Sequence, residues 1–404
     1  MFSRKSLLFL FIIITFGTQA QENPSQPFTF KWDNGFKLRS QDSIFSLDFG
    51  GYLLIDHGFY YQDQALTQFS GPLESSSGAE IRSALLSFSG EIYNNTNFKL
   101  QVDFGGDKVK LKDVYIGISD IPFIGNFRVG HFNEPFRLSS LTSSKYTTFM
   151  ERGSNSDFTP LRNNGAAIFN DFYNTRLSAQ LGVFRNANNN SNDILADDGY
   201  VIAGRVTGIP FRDATKKQLL HVGAALNYRE AASREFEIAI APGSHLAKKY
   251  VSTGIIQNVK NVQMSDFELA YIHGPFSLQT EYLSALVKQE DYTYQFYNYY
   301  GELSYFITGE SKNYLGSYEG FGRVKPTRNF SGRQKGPGAL EIAIQYSHTD
   351  LTDFTLDGGK QSEISLGINW YLNPVTRVMV NYVNSHLENR GNLDVVQARF
   401  QIDF

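Results

Sequence analysis

The sequence predicts an all-β fold: a transmembrane antiparallel β-barrel of about sixteen strands, with one long loop folded inward as a constriction. Three observations carry this. An export signal opens the chain, and no later stretch could form a membrane helix. Period-2 alternation runs through most of the chain beyond that signal, with charges and amides gathered on one face. The connections between alternating segments are by turns short and long.

Residues 1–20, MFSRKSLLFLFIIITFGTQA, place Arg4 and Lys5 before an apolar run that ends at the small residue Ala20, the pattern of a cleaved secretory signal. The exported domain is then 21–404. Beyond Ala20 no uninterrupted apolar run of about 18 residues occurs, so no helical span is expected. The chain has no cysteine, which excludes disulfide staples and thiolate chemistry. Its 34 Phe, 23 Tyr and 35 Gly, with a negative mean hydropathy, fit strands that have one apolar and one polar face. The near balance of 37 basic and 40 acidic residues leaves no basic field for nucleic acid, so any charge selectivity must be local.

The last segment shows the alternation most clearly. In 393–404, LDVVQARFQIDF, one face carries Val396, Ala398, Phe400, Ile402 and Phe404, and the other Val395, Gln397, Arg399, Gln401 and Asp403. Residues 361–372, 339–348, 45–56 and 97–104 repeat the pattern. A dry sandwich core could not hold so many charges without large desolvation costs, whereas a water-filled lumen can. Short turns are expected at 94–95, 122, 174, 274–275 and 373–374, and long polar loops at 61–78, 133–163, 186–198, 231–261, 308–338 and 385–392, the two sets at opposite rims. Because hydrocarbon leaves no backbone group unpaired, the strand beginning near Ile44 should close against 393–404.

The loop at about 133–163 is the most crowded with chemistry. It holds Glu134, Arg137, Lys145, Glu151, Arg152, Asp157 and Arg162, and a run of hydroxyls that includes Ser143 and Ser144. It is the loop expected to fold into the lumen.

Several passages together resemble the phosphate-selective porins O and P. They are 98–115 (FKLQVDFGGDKVKLKDVY), 129–152 (VGHFNEPF through MER), 274–283, 305–310, 320–330 and 366–382, spread over most of the exported chain. The resemblance implies a sixteen-stranded, usually homotrimeric outer-membrane channel, seated in outer-membrane lipid and passing small anions such as phosphate. It also implies recognition of the last strand, through its terminal Phe404, by the barrel-assembly machinery. For the site it implies Arg152 in the M-E-R run, Ser143 and Ser144 in the T-S-S run, and Asp113 in the K-D-x-Y run. It departs at two places: Ser140 stands where a lysine is expected, and AEIRS keeps a single arginine, Arg82.

An anion entering a constriction loses water and needs donors and positive charge in its place. Arginine suits this, since its planar fork matches oxyanions and stays charged. Arg137 and Lys145 in the loop, and Arg128 and Arg399 on polar strand faces, complete the candidate pore set. Arg176, Arg205, Arg229 and Arg377 also alternate inward. Nothing points to a cofactor, a metal or an enzyme: Asp193, Asp197 and Asp198 lack EF-hand spacing, the His residues form no zinc motif, and no nucleophile motif occurs. The alternative is a general or carbohydrate-conducting porin with weak ion selectivity; tyrosines in the lumen would favour sugar stacking, and the run 292–300 (YTYQFYNYY) is the feature to examine.

Overall fold

The computed structural model describes residues 28–404 apart from 107, 154–157, 159–161, 189, 193–198 and 332–335. The signal expected at 1–20, Asp157, and the aspartates Asp193, Asp197 and Asp198 lie outside the described residues.

Sixteen antiparallel strands close into a barrel, from Phe45–Gln62 to Gly391–Asp403. Those two strands seal it, in register from Leu393 opposite Gln62 to Asp403 opposite Tyr52. Closure is what hydrocarbon demands, because an open edge would leave backbone donors and acceptors unpaired. The alternation sorts as expected. On Gly391–Asp403, Val396, Phe400 and Ile402 are exposed on the outer surface while Gln397, Arg399, Gln401 and Asp403 are buried within. On Leu356–Asn373 the same division sets Ile364, Leu366 and Ile368 against Glu363, Ser365 and Asn369. One rim carries tight turns, where Asn94 (φ 60), Asn174 (φ 54) and Gly274 (φ 55) supply the left-handed residues that such hairpins need.

The segment 307–338 is a correction to the sequence reading, which grouped it by length with the long loops of the opposite rim. It leaves Thr293–Phe306 at the short-turn rim, where the Phe306 amide donates to the Pro275 carbonyl at 3.0 Å. Strand direction, not loop length, decides the rim. From there the segment turns into the barrel: Arg205 Nη1 donates to the Ser317 carbonyl at 2.7 Å, and the Tyr314 hydroxyl meets His221 Nδ1 at 2.8 Å. It reaches the loop after Gly125–Asn133, where the Phe321 amide donates to Thr142 Oγ1 at 3.2 Å. A Cβ on Gly320 (φ +65) would collide with that same hydroxyl, so the close approach requires glycine.

Three further elements escaped the sequence reading. Asp63 caps a short helix, Gln64–Ser70, in the first long loop, and the Leu66 amide it accepts holds its carboxyl below the usual range. Residues 231–260 form two small ladders, Glu235–Phe236 with Ile256–Gln257 and Ala239–Ile240 with Val251–Ser252. Ile238, Ile240, Val251, Ile256 and Val259 are buried there inside the mouth. The tip of this loop reaches the far wall, where the Gly243 amide donates to Glu363 at 2.8 Å and Gln397 donates to the Gly243 carbonyl at 2.8 Å. Finally, an N-terminal hairpin of β1 (Phe28–Trp32) and β2 (Phe36–Ser40) precedes the barrel's first strand, β3 (Phe45–Gln62). β2 pairs with β3 from Phe36 opposite Phe49 to Arg39 opposite Ser46, beyond the point where the last strand ends.

Candidate pore constriction

The loop between Gly125–Asn133 and Arg162–Phe172 lies across the lumen because one wall of the barrel holds its backbone. That wall is rich in carboxylates and amides. Glu281 accepts from the Ser139 amide at 2.7 Å, from the Ser139 hydroxyl at 2.8 Å and from Arg137 Nε at 2.9 Å. Glu268 accepts from the Leu138 amide at 2.7 Å. Asn369 donates to the Thr148 carbonyl at 2.8 Å, Arg377 to that of Thr147 at 2.8 Å and Arg399 to that of Met150 at 3.0 Å. Four acids of the lumenal face are thus covered by the loop and paired, Glu268 with Arg205, Glu281 with Arg137, Glu302 with Lys312, and Asp56 with Arg399, whereas Asp48 and Glu363 line the open cavity.

The water-filled space lies on the other side. A cavity of about 1080 Å³ runs from Gly243, His245 and Lys249 at the long-loop mouth to Lys37, Ser46 and Glu91 at the other rim. Its lining includes Arg82, Lys99, Lys112, Arg128 and Arg162 from the strands, with Lys145 and Arg152 from the loop. Asp113 is shared by two cations, Arg162 at 2.7 Å and Lys99 at 3.2 Å, so that cluster remains positive. Glu151 takes Arg82 at 3.2 Å. Burial disfavours the charge on Glu151, yet Arg82 and Arg399 outweigh it and hold the carboxyl below its usual range.

Arg152 donates to the Ser139 carbonyl at 2.6 Å, the Thr142 carbonyl at 2.9 Å and the Ser144 hydroxyl at 3.3 Å. Among the described residues no carboxylate lies within ion-pair distance of it. Burial, with Arg137 behind it, pulls its guanidinium down to about 10, so at neutral pH it is still a cation. Arg128 is held by rings instead of acids: Tyr115 at 4.0 Å, Phe169 at 4.9 Å and Phe132 at 5.4 Å from its guanidinium carbon.

The structure therefore divides the sequence candidates. Arg152, Ser143, Ser144, Asp113, Lys145 and Arg128 line the cavity, with Lys145 also 3.1 Å from Asp403. Arg137 and Arg399 do not line it. Both are almost fully buried and serve as struts, since each faces a carboxylate that would otherwise be buried uncompensated. Arg205 is buried in the same way against Glu268, Arg377 is buried against the Thr147 and Lys145 carbonyls and Gln401, Arg229 pairs with Glu134 at 3.0 Å, and Arg176 sits in an exposed turn. Lys99, Lys112 and Arg162 join the site without having been singled out for it. The signal available for Lys99 was its place on the polar face of 97–104. Ser140 lines the cavity, and its hydroxyl has no partner among the described residues.

The cavity is lined by Tyr52, Tyr115, Tyr146 and Tyr318, and by no tyrosine of the run 292–300. Tyr299 is exposed on the outer surface with Tyr282 and Tyr346, and Tyr297 stacks on Tyr282 there at 6.5 Å. Tyr300 points inward but is buried, accepting from Gln279 at 2.6 Å.

Residues 55–404 match the family described as phosphate-selective porin O and P. The chain belongs to that family. It is accordingly an outer-membrane porin, and its fold and family are those of a channel. Porin O of Pseudomonas aeruginosa is 25% identical over 422 residues, covering 90% of this chain and 88% of that one. An uncharacterized protein of Caulobacter vibrioides is 26% identical, over 81% of this chain and 68% of the relative. Among solved structures, the fold is similar to the outer-membrane channel DcaP of Acinetobacter baumannii, with a TM-score of 0.55 at 10% identity over 90% of this chain and 99% of the other. The anion-selective porin from Comamonas acidovorans has a TM-score of 0.52 at 13% identity, over 89% of this chain and 100% of the other.

Proposed function

We propose that this porin is a passive diffusion channel for phosphate and other small anions, and that the anion crosses the constriction at Arg152, Ser143 and Ser144. One observation carries the reading: the acids of one wall are covered by the inward loop, so the open cavity runs past Arg152, Arg128 and the Lys99–Asp113–Arg162 cluster. An anion shedding water there meets donors and net positive charge. The carbohydrate alternative loses the tyrosine run 292–300, none of whose tyrosines lines the cavity, and rests on Tyr52, Tyr115, Tyr146 and Tyr318 instead.

The test is a planar bilayer. The purified protein should give an anion-biased reversal potential in a salt gradient, and phosphate should block its chloride current at low concentration. An open channel with no bias and no block would sink the proposal. Ser140 tunes the same site. Ser140→Lys should add a cation to the cavity and tighten phosphate block by ~10-fold, equivalent to ~1.4 kcal/mol; unchanged block would place position 140 outside the anion path.

Three partners complete the proposal. The exposed Ile, Leu, Val, Phe and Tyr side chains of the strands face membrane lipid. Phe404, bonded to Gly51 at the seam, is the signal for the assembly machinery. The functional unit is a homotrimer, in keeping with the similar fold of OmpT of Vibrio cholerae, whose structure includes a trimer form, with a TM-score of 0.53 at 11% identity over 89% of this chain and 99% of that one.

A further inference from the structure

The hairpin β1–β2 lies outside the closed ring of strands, and one of its faces has no cover among the described residues. Register sets Phe30 and Trp32 of β1 opposite Leu38 and Phe36 of β2, and these in turn opposite Leu47 and Phe49 of β3. Residues directly opposite one another share a face of a sheet. Phe49 is opposite Phe88, whose ring is exposed on the barrel's outer surface. The rings form a continuous series: Trp32 to Phe36 at 4.8 Å, Phe36 to Phe49 at 6.0 Å, and Phe49 to Phe88 at 4.8 Å. Phe30 and Trp32 nonetheless remain 66% and 50% exposed, an apolar surface that calls for a partner. The reverse face is basic, and its Lys37 and Arg39 line the cavity at the short-turn rim.

We propose that this aromatic face seats the hairpin in the phospholipid headgroup region of the periplasmic leaflet. Three arguments select lipid. The face continues the lipid-facing surface of the barrel without a break. Its depth is interfacial: the Phe28 ring lies 6.1 Å from that of Phe45, and Phe45 is opposite Ile92, the last residue before the rim turn. Short turns mark the periplasmic rim, and Trp and other aromatic rings concentrate at such boundaries. The outer edge of β1 has no strand partner among the described residues, which hydrocarbon forbids and hydrated headgroups tolerate. That edge is also short and carries Lys31, a guard against pairing with another chain. Seated this way, the hairpin holds Lys37 and Arg39 at the periplasmic mouth of the pore.

The two tryptophans of the chain make this testable. In the full-length Trp370→Phe variant (or Trp370→Tyr, should the first fail to assemble) Trp32 is the sole reporter. Reconstituted in phospholipid vesicles, its fluorescence should be quenched strongly by lipid brominated near the headgroup, more weakly by lipid brominated near the chain terminus, and little by aqueous acrylamide. Adding Phe28→Ser and Phe30→Ser should raise acrylamide quenching several-fold while the barrel still assembles with heat-modifiable electrophoretic mobility. Free quenching by acrylamide with none from bromolipid would put the face in periplasmic water and overturn the proposal. Protection from both quenchers would overturn it too, with a second copy of the chain as the cover.

Discussion

Replacing Arg152 with alanine is expected to raise the phosphate concentration that half-blocks chloride current by ~10- to 100-fold, matching the ~1.5–3 kcal/mol of a hydrogen bond to a charged group. Arg152 stands on the inward loop with backbone carbonyls and a serine hydroxyl around it and, among the described residues, no carboxylate within ion-pair distance. Its charge is therefore available to an anion, unlike that of Arg137 or Arg399. The same contacts shape the loop, so alanine alone would confuse lost charge with lost form. Arg152→Lys separates the two by keeping the charge without the fork. It should retain the anion-biased reversal potential while losing part of the block. Block and reversal potential both unchanged in the alanine variant would remove Arg152 from the anion path.

The second large effect is expected at a residue that never meets the anion. Glu281→Ala deprives the Ser139 amide, the Ser139 hydroxyl and Arg137 of one shared buried acceptor, at a cost of ~3–5 kcal/mol for breaking such a pair. The strand that carries Glu281 keeps its ladder on both sides, so the barrel should still assemble and show heat-modifiable electrophoretic mobility. The loop should come away from the wall. Single-channel conductance should then rise and anion bias fall, because the wall's acids join the lumen. Glu281→Gln, which keeps an acceptor for Ser139, should lie between wild type and alanine. An assembled alanine barrel with unchanged conductance would mean that the other anchors at Thr148, Met150 and Arg377 suffice.

The barrel was legible because its cause is local. Each strand carries its own instruction, apolar outward and polar inward, and Gln397, Arg399 and Gln401 against Val396, Phe400 and Ile402 can be read without knowing a neighbour. The charges and hydroxyls of 133–163 were legible for a similar reason, concentrated as they are in one stretch. The hairpin β1–β2 was not. Its five-residue strands are too short to show a period, and their pairing with β3 is a contact of the folded chain. Residues 231–260 read as a polar loop because their buried Ile238, Ile240, Val251 and Ile256 are interrupted by Gly and Pro and find cover only across the mouth.

The sequence by itself determined the strand pattern, the closed sheet, and which residue types face lipid or lumen. Tertiary structure decided which lumenal charges line the open cavity. Arg128 and Arg399 are indistinguishable as inward arginines of the strands, and Arg152 of the loop is one more cation among several. In the barrel, Arg399 is neutralised by Asp56, Arg128 is gripped by rings, and Arg152 is left to the cavity. The physical reason is range. Alternation comes from the pleat of two neighbouring residues, whereas pairing a charge depends on groups brought within a few ångströms from segments hundreds of residues apart, as Asp56 is to Arg399.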